Sequence, residues 1–204
     1  MKNIILTALV IFSFVNLAQS QNFGVKGAYL FSNMAVDKDL INENNNRTGF
    51  SVGFINRTQT SSVFYQTELL WSRKGAKYTL NGGTQVDAKL DYIEIPVSIG
   101  INLFNTPISI YGGGYAAYLL KADYEYLDAN ENVFATFDNK DAFKKFDFGF
   151  QTGLQFQISN ILLDARFSRG LSNVEDGDIQ VSNQTFTANE TKNFNVQLGV
   201  SLLF

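Results

Sequence analysis

Residues 193–204 read NFNVQLGVSLLF and alternate between apolar and polar side chains almost without a break. One phase is apolar throughout and contains Phe194, Val196, Leu198, Val200, Leu202 and Phe204. Only Leu203 departs from the other phase, which contains Asn193, Asn195, Gln197, Gly199 and Ser201. Side chains of a β-strand point alternately to the two faces of a sheet, so this pattern predicts a strand with one apolar and one polar face.

The same period of two recurs upstream. A second apolar phase contains Phe146, Phe148, Phe150, Leu154, Phe156 and Ile158. Its one polar member is Thr152. A further apolar phase contains Ile93, Ile95, Val97, Ile99, Ile101 and Leu103. Pro96 falls in the opposite phase of that segment and has no N–H for a ladder bond, which predicts a bulge or a rim position there.

Two features favour strands that face lipid over strands of a soluble sandwich. The apolar phases are long, and about ten residues at ~3.3 Å each, tilted ~45°, cover the ~25 Å apolar band of an outer membrane. The opposite phases are rich in Gly, Ser, Asn and Gln, which fit a narrow, hydrogen-bonded interior. In hydrocarbon no strand edge can stay unpaired, so such a sheet must close into a barrel.

The pattern predicts an all-β fold, an eight-stranded antiparallel up-and-down transmembrane β-barrel. Its strands are expected at about residues 22–33, 48–57, 62–76, 86–104, 107–123, 144–159, 161–172 and 191–204. Long connections at 34–47, 77–85, 124–143 and 173–190 alternate with short ones at 57–61, 105–106 and 159–160. This alternation is typical of tight periplasmic turns and longer external loops. Eight strands enclose only enough space for side chains, so no open pore is expected.

Aromatic residues toward the strand ends are candidates for the girdles that mark membrane interfaces. They are Tyr29, Tyr65, Trp71, Tyr78, Tyr92, Tyr118 and Tyr124.

The N-terminus has the features of an export signal. Lys2 provides the positive charge, residues 4–15 are almost uninterruptedly apolar, and Ala18 and Ser20 are the small residues that precede a cleavage site. We predict a signal peptide at residues 1–20, cleavage before Gln21, and a single barrel domain at residues 21–204. The apolar stretch is shorter than the roughly 20 residues of a membrane-spanning helix.

Composition narrows the possible chemistry. The chain has no Cys and no His, so it lacks thiolates, the commonest general base and the commonest metal ligand. A Ser-His-Asp triad is impossible, and we expect no enzymatic activity, no cofactor and no metal site. The net charge of −3 does not favour nucleic acid as a partner.

The strand phases place six charged residues on the inner face: Lys26, Glu68, Glu94, Asp147, Asp164 and Arg166. A charge facing lipid at mid-depth costs about 2–4 kcal/mol for Arg or Lys, whereas opposite charges can pair across a narrow lumen. We interpret the six as a structural plug of ion pairs. A gated ion path, or an acid–base pair of Glu68 and Glu94, is the alternative.

Several stretches make the mature chain resemble the PorT-type outer-membrane β-barrel family of Bacteroidetes. The most distinctive are YQTELLWSRKGAKY (65–78), LDYIEIPVSIGINL (90–103) and LLDARFSRGLSN (162–173). The resemblance implies an eight-stranded barrel in the outer membrane and little about activity. The terminal Phe204 resembles the aromatic signal read by the barrel-insertion machinery.

Together these features predict a monomeric outer-membrane barrel of structural or surface-interaction type, whose partners are outer-membrane lipid, the insertion machinery and an unidentified partner at the external loops. The alternative is an exported, soluble, lipocalin-like ligand-binding barrel. That fold would need an apolar interior and a polar exterior.

Overall fold

A computed structural model describes residues 23–35, 41–80, 85–104, 106–127, 133–138, 144–172, 179–181, 184–186 and 192–204. The predicted signal peptide at residues 1–20 and its cleavage site before Gln21 lie outside these ranges. No helix within them is long and apolar enough to cross a membrane.

The described residues form eleven strands. They are β1 (Phe23–Ala35), β2 (Ile41–Thr60), β3 (Val63–Leu80), β4 (Gln85–Asn102), β5 (Ile108–Leu127), β6 (Val133–Asp138), β7 (Phe146–Ile158), β8 (Ile161–Gly170), β9 (Ile179–Val181), β10 (Gln184–Phe186) and β11 (Lys192–Leu203). Eight of them are antiparallel neighbours in the order β4-β3-β2-β1-β11-β8-β7-β5, and pairing of β4 with β5 closes the ring. The predicted fold class, an eight-stranded antiparallel barrel, is confirmed.

Three short strands fall where the sequence predicted only loops. β6 pairs with the end of β5, from Asp123 opposite Asp138 to Leu127 opposite Val133. β9 and β10 form a separate two-stranded sheet. Treating 124–143 and 173–190 purely as loops was therefore wrong, because backbone pairing outside the apolar band needs no apolar alternation.

The eight barrel strands have unequal lengths. β2, β3, β4 and β5 have 20, 18, 18 and 20 residues, whereas β1, β7, β8 and β11 have 13, 13, 10 and 12. The predicted connections 34–47 and 77–85 are consequently shorter than expected, since β2 begins at Ile41 and β3 continues to Leu80. The extra residues form a wall, which we define as residues 41–47, 74–80, 85–91 and 121–127 of β2 to β5.

The wall stands at one rim of the barrel, and the tight turns stand at the other. This short-turn rim contains the two-residue turns Ser61–Ser62 and Ser159–Asn160 and the connection at 103–107. Ser61 and Ser159 each have φ of 53°, since a two-residue hairpin needs a positive φ at its first central position to match the strand twist. Phe204 closes the same rim, where its N–H donates to the Phe23 carbonyl at 2.7 Å. The opposite rim is called the far rim below.

The two faces of the barrel differ as the alternation predicted. Outward-facing apolar side chains are half exposed, for example Val97 at 52% and Leu198 at 54%, whereas inward-facing polar side chains such as Gln155 are buried. This is the reverse of a soluble lipocalin-like barrel. The lumen also contains apolar side chains, and Ile55, Leu162 and Leu203 form a buried cluster toward the short-turn rim.

Pro96 lies in the middle of β4, so the prediction of a bulge or a rim position was wrong. Pro96 pairs in register with Tyr115 of β5. On the other side, the pairing of β3 with β4 passes from Leu70–Glu94 directly to Thr67–Val97 without a change of register. The ladder therefore accommodates the missing N–H by omitting the pairs beside the proline, with no insertion of a residue.

Tyr92 was wrongly assigned to an aromatic girdle, because its side chain is fully buried in the lumen. Tyr29, Tyr65 and Tyr118 are 48%, 56% and 38% exposed on the outer face. Trp71 packs edge-to-face on Phe50 there, with 5.3 Å between the ring centroids. The side chains of Tyr78 and Tyr124 lie outside the described part of the structure.

The lipid-facing band predicts a depth-dependent cost for charge. Val97→Arg is expected to lower the free energy of unfolding by about 2–4 kcal/mol, because it places a cation near the middle of the apolar band. Thr58→Arg, at the exposed short-turn rim, is the control and is expected to cost about 0–1 kcal/mol. Urea unfolding in lipid vesicles measures both values, and equal costs would contradict this placement of the band.

Candidate functional site

Four of the six predicted inner charges meet in one buried network. Lys26 Nζ lies 2.7 Å from Asp164 Oδ1 and 3.3 Å from Glu68 Oε2. The Arg166 guanidinium binds both carboxylate oxygens of Glu68 through Nη1 and Nη2. This fork-to-fork geometry is the strongest form of carboxylate recognition by arginine, and each of these side chains is at most 2% exposed.

Neutral side chains satisfy the remaining polar atoms of this network. The Tyr111 hydroxyl donates to Asp164 Oδ2 at 2.7 Å and accepts from Arg166 Nε at 2.8 Å. Gln66 Nε2 donates to Glu68 Oε1 at 2.5 Å. Buried ion pairs need such additional bonds to offset the loss of hydration.

Strand phase and a glycine bring these residues together. Lys26, on β1, must reach across β11 to Asp164 on β8. Gly199 of β11 lies between the two strands, opposite both Ala28 and Asp164. A Cβ at position 199 would lie 3.1 Å from Lys26 Cε, so the absence of a side chain there leaves room for the lysine.

Glu94 lies apart from this network. Its carboxylate forms an ion pair with Lys74, whose Nζ lies 5.1 Å from the centroid of the Tyr115 ring and 5.7 Å from that of Tyr92. Glu68 and Glu94 thus bind different cations and do not form a shared pair of carboxylates.

Asp147, the sixth predicted residue, is held by neutral donors. Ser172 Oγ donates to Oδ1 at 2.7 Å, and Asn193 Nδ2 and the Tyr115 hydroxyl donate to Oδ2 at 2.7 and 3.2 Å. Three hydrogen bonds of this kind stabilise a buried carboxylate without a cation.

Arg57 is a lumen residue that the sequence prediction placed at the boundary between a strand and a turn. β2 continues to Thr60, and Arg57 is 2% exposed inside the barrel. Its Nη1 donates to Gln155 at 2.7 Å, its Nη2 donates to Asn102 at 2.9 Å, and the guanidinium lies 3.7 Å from the centroid of the Phe64 ring. Ile55 is in the same inward phase, and continuing that phase by one step was the signal that could have placed Arg57.

Within the apolar band and at its edge, the described inward-facing charges balance. Four inward cations, Lys26, Arg57, Lys74 and Arg166, accompany four carboxylates, Glu68, Glu94, Asp147 and Asp164. Each of these carboxylates is engaged by a cation or by hydrogen-bond donors. Within the described residues there is no group of three or more His, Cys, Asp or Glu side chains that could hold a metal ion.

A family model described as outer membrane protein beta-barrel domain matches residues 17–176. No curated protein matches the sequence.

Solved structures of other barrels are similar in fold. Ail, the attachment invasion locus protein of Yersinia pestis, has 15% sequence identity and a TM-score of 0.50, with 91% of this chain and all of that chain covered. Neisserial surface protein A has 15% identity and a TM-score of 0.51, with 89% of this chain and 97% of that chain covered. At such identities the likeness indicates a shared fold.

The network predicts a strongly coupled pair at its centre. Arg166→Met and Glu68→Met are each expected to lower the free energy of unfolding by about 3–5 kcal/mol, because each leaves an uncompensated buried charge. The double variant retains the neutral Lys26–Asp164 pair, so its cost is expected to be well below the sum. Urea unfolding of all four proteins in lipid vesicles measures this coupling.

Arg73→Met is the matched control, since Arg73 binds Asp91 but its side chain is 36% exposed. Its cost is expected to be at most about 1 kcal/mol. Additive costs for Arg166→Met and Glu68→Met would contradict a shared network.

Proposed function

The chain belongs to the family of outer membrane protein beta-barrel domains and is located in the outer membrane. From this premise we propose that it is a non-catalytic barrel whose wall makes contacts outside the membrane. The lumen serves as a structural plug. The protein is monomeric, and the partner at the external loops is a surface molecule or polymer.

The unequal strand lengths carry this proposal. About 9–11 tilted residues cross the bilayer, which matches β8 and β11. β2 to β5 exceed that length by about eight residues, and at ~3.3 Å per residue this adds roughly 25 Å of strand outside the apolar band. A crossing barrel needs no such extension, so the wall is the part of the chain available for a function beyond crossing.

Charge on the wall supports an aqueous location for it. On its outer face, Lys89 and Glu125 form an ion pair in which the side chains are 25% and 22% exposed. A second pair, Arg47 with Asp87 at 2.6 Å, is more buried. Ion pairs of this density suit a surface in water and not one in hydrocarbon. Because tight turns mark the periplasmic side of such barrels, the wall stands on the external side.

The network inside the barrel supports a closed, non-catalytic lumen. The buried carboxylates are engaged by cations or donors, which leaves none of them poised as a general base. Ail, one of the similar barrels, is named for attachment and invasion and was solved with a heparin analogue, which supports a surface-interaction role.

Export and assembly complete the proposal. The signal peptide at residues 1–20 directs export, and Phe204, 66% exposed immediately after β11, is the aromatic residue read by the insertion machinery. The run of residues 90–103 supports the narrower PorT-type assignment in Bacteroidetes.

Labelling of single cysteines tests the external position of the wall. The chain has no Cys, so Lys77→Cys on the exposed wall and Ser159→Cys at the short-turn rim each provide one thiol. A membrane-impermeant maleimide is expected to label Lys77→Cys in intact cells and Ser159→Cys only after lysis. Labelling of Ser159→Cys alone in intact cells would overturn the proposed orientation.

Current recordings test the closed lumen. The purified protein in a planar lipid bilayer is expected to give no stepwise conductance, because side chains and ion pairs fill an eight-stranded barrel. The variant Glu68→Ala/Arg166→Ala, which removes the centre of the plug, is expected to leak. Steady current steps from the wild-type protein would favour an ion path.

A further inference from the structure

The two edges of the apolar band differ in charge. At the short-turn rim, the described residues 58–62, 103–104, 106–107 and 159–160 contain no charged side chain. At the far rim, Arg73, Lys121 and Arg169 stand on the outer face. A barrel that only needed polar edges would have no reason to place cations at one edge alone.

Arg73 marks the far edge of the apolar band. It stands about ten residues from the short-turn rim, the length that crosses the bilayer. Its guanidinium lies 5.7 Å from the Trp71 ring centroid and 5.9 Å from that of Phe50. Aromatic side chains of this kind collect at the level of lipid headgroups, so Arg73 stands where headgroup phosphates lie.

Cations protrude further than the carboxylates that they contact. Arg73, Asp91 and Lys121 are direct neighbours across β3, β4 and β5 and therefore share a face. Asp91 accepts from Arg73 Nε and Nη2 at 2.6 and 2.8 Å, and its side chain is 11% exposed against 36% for the arginine. Lys121 is 57% exposed and its partner Asp123 only 19%. What reaches outward here is positive charge.

A third exposed cation, Arg169, lies on the opposite side of the barrel. β8 is four strands from β3 in the closed ring. Arg169 is exposed beside Phe150 and Phe194, its register neighbours on the outer face. Among the residues that the structure describes, it forms no ion pair.

We propose that Arg73, Lys121 and Arg169 form a collar that binds phosphate groups of anionic lipids in the outer leaflet. Lys and Arg beside an apolar surface attract anionic headgroups, and arginine matches the geometry of phosphate oxygens. The lipid's acyl chains then lie on the half-exposed apolar face below. The inference rests on the proposed orientation, in which the far rim faces outward, and needs no partner for the external loops. Cysteine labelling tests that orientation separately from lipid binding.

The test uses two series of phosphatidylcholine nanodiscs. One series is doped with lipid A, and the other is doped with lipid A from which the phosphates have been removed. Titration of each lipid into the folded wild-type protein, followed by native mass spectrometry, measures retention. Phosphorylated lipid A is expected to bind more tightly than the dephosphorylated form. Lys121→Gln and Arg169→Gln are each expected to weaken its binding by about fivefold.

Lys77→Gln is the matched control for Lys121→Gln, because Lys77 is an exposed wall lysine beyond the collar. Its lipid affinity is expected to stay at the wild-type value, and the gel shift on heating confirms that all variants are folded. Equal retention of both lipids, or an equal loss in Lys77→Gln and Lys121→Gln, would overturn the collar. Competition by inorganic phosphate at the same concentration would overturn the assignment to lipid.

Discussion

The structure depends on one constraint: in hydrocarbon, every backbone N–H and C=O must find a partner within the protein. Pairing of β1 with β11 and of β4 with β5 leaves no open edge in the apolar band. Closure also makes the lumen narrow. Charges that would be costly against lipid are therefore brought together inside, where Lys26, Glu68, Asp164 and Arg166 neutralise one another.

Outside the apolar band, water can also bind backbone N–H and C=O groups, so the constraint is weaker. The outward-facing side chains are charged there instead of apolar. β2 to β5 continue as a wall in which pairs such as Lys89–Glu125 replace lipid-facing apolar residues. The register shifts between Asp91 and Tyr92 in the pairing of β4 with β5, close to where the band ends. The barrel thus combines a membrane-spanning part, shaped by the lipid, with a wall shaped by water and by whatever it contacts.

Much of the fold and part of the site could be predicted from alternation alone. Strand phase placed the six inward charges on the buried face, because a side chain's face follows from its position in the strand. It did not identify Lys74 as the partner of Glu94, or Asn193 as a donor to Asp147, since these contacts depend on which strands become neighbours across the lumen. Pro96 and Tyr92 were misplaced for a related reason, because local rules for proline and tyrosine do not include the neighbours that accommodate them.

The sequence by itself determined the class of fold, the apolar outer face and the polar inner face. A period of two is a local property of the sequence, because lipid requires apolar side chains on one face of each strand and the narrow lumen requires polar side chains on the other. Only the tertiary structure decided where the strands end, which charges pair and which cations collect at the far rim. Among the described wall side chains the alternation is reversed, with apolar Ala88, Leu90 and Ala122 buried inside and charged side chains such as Lys89 outside. The apolar outward phase that marks a strand in the band therefore ends there, and the collar residues are far apart in the chain. Such features exist only once the register of the closed barrel is set.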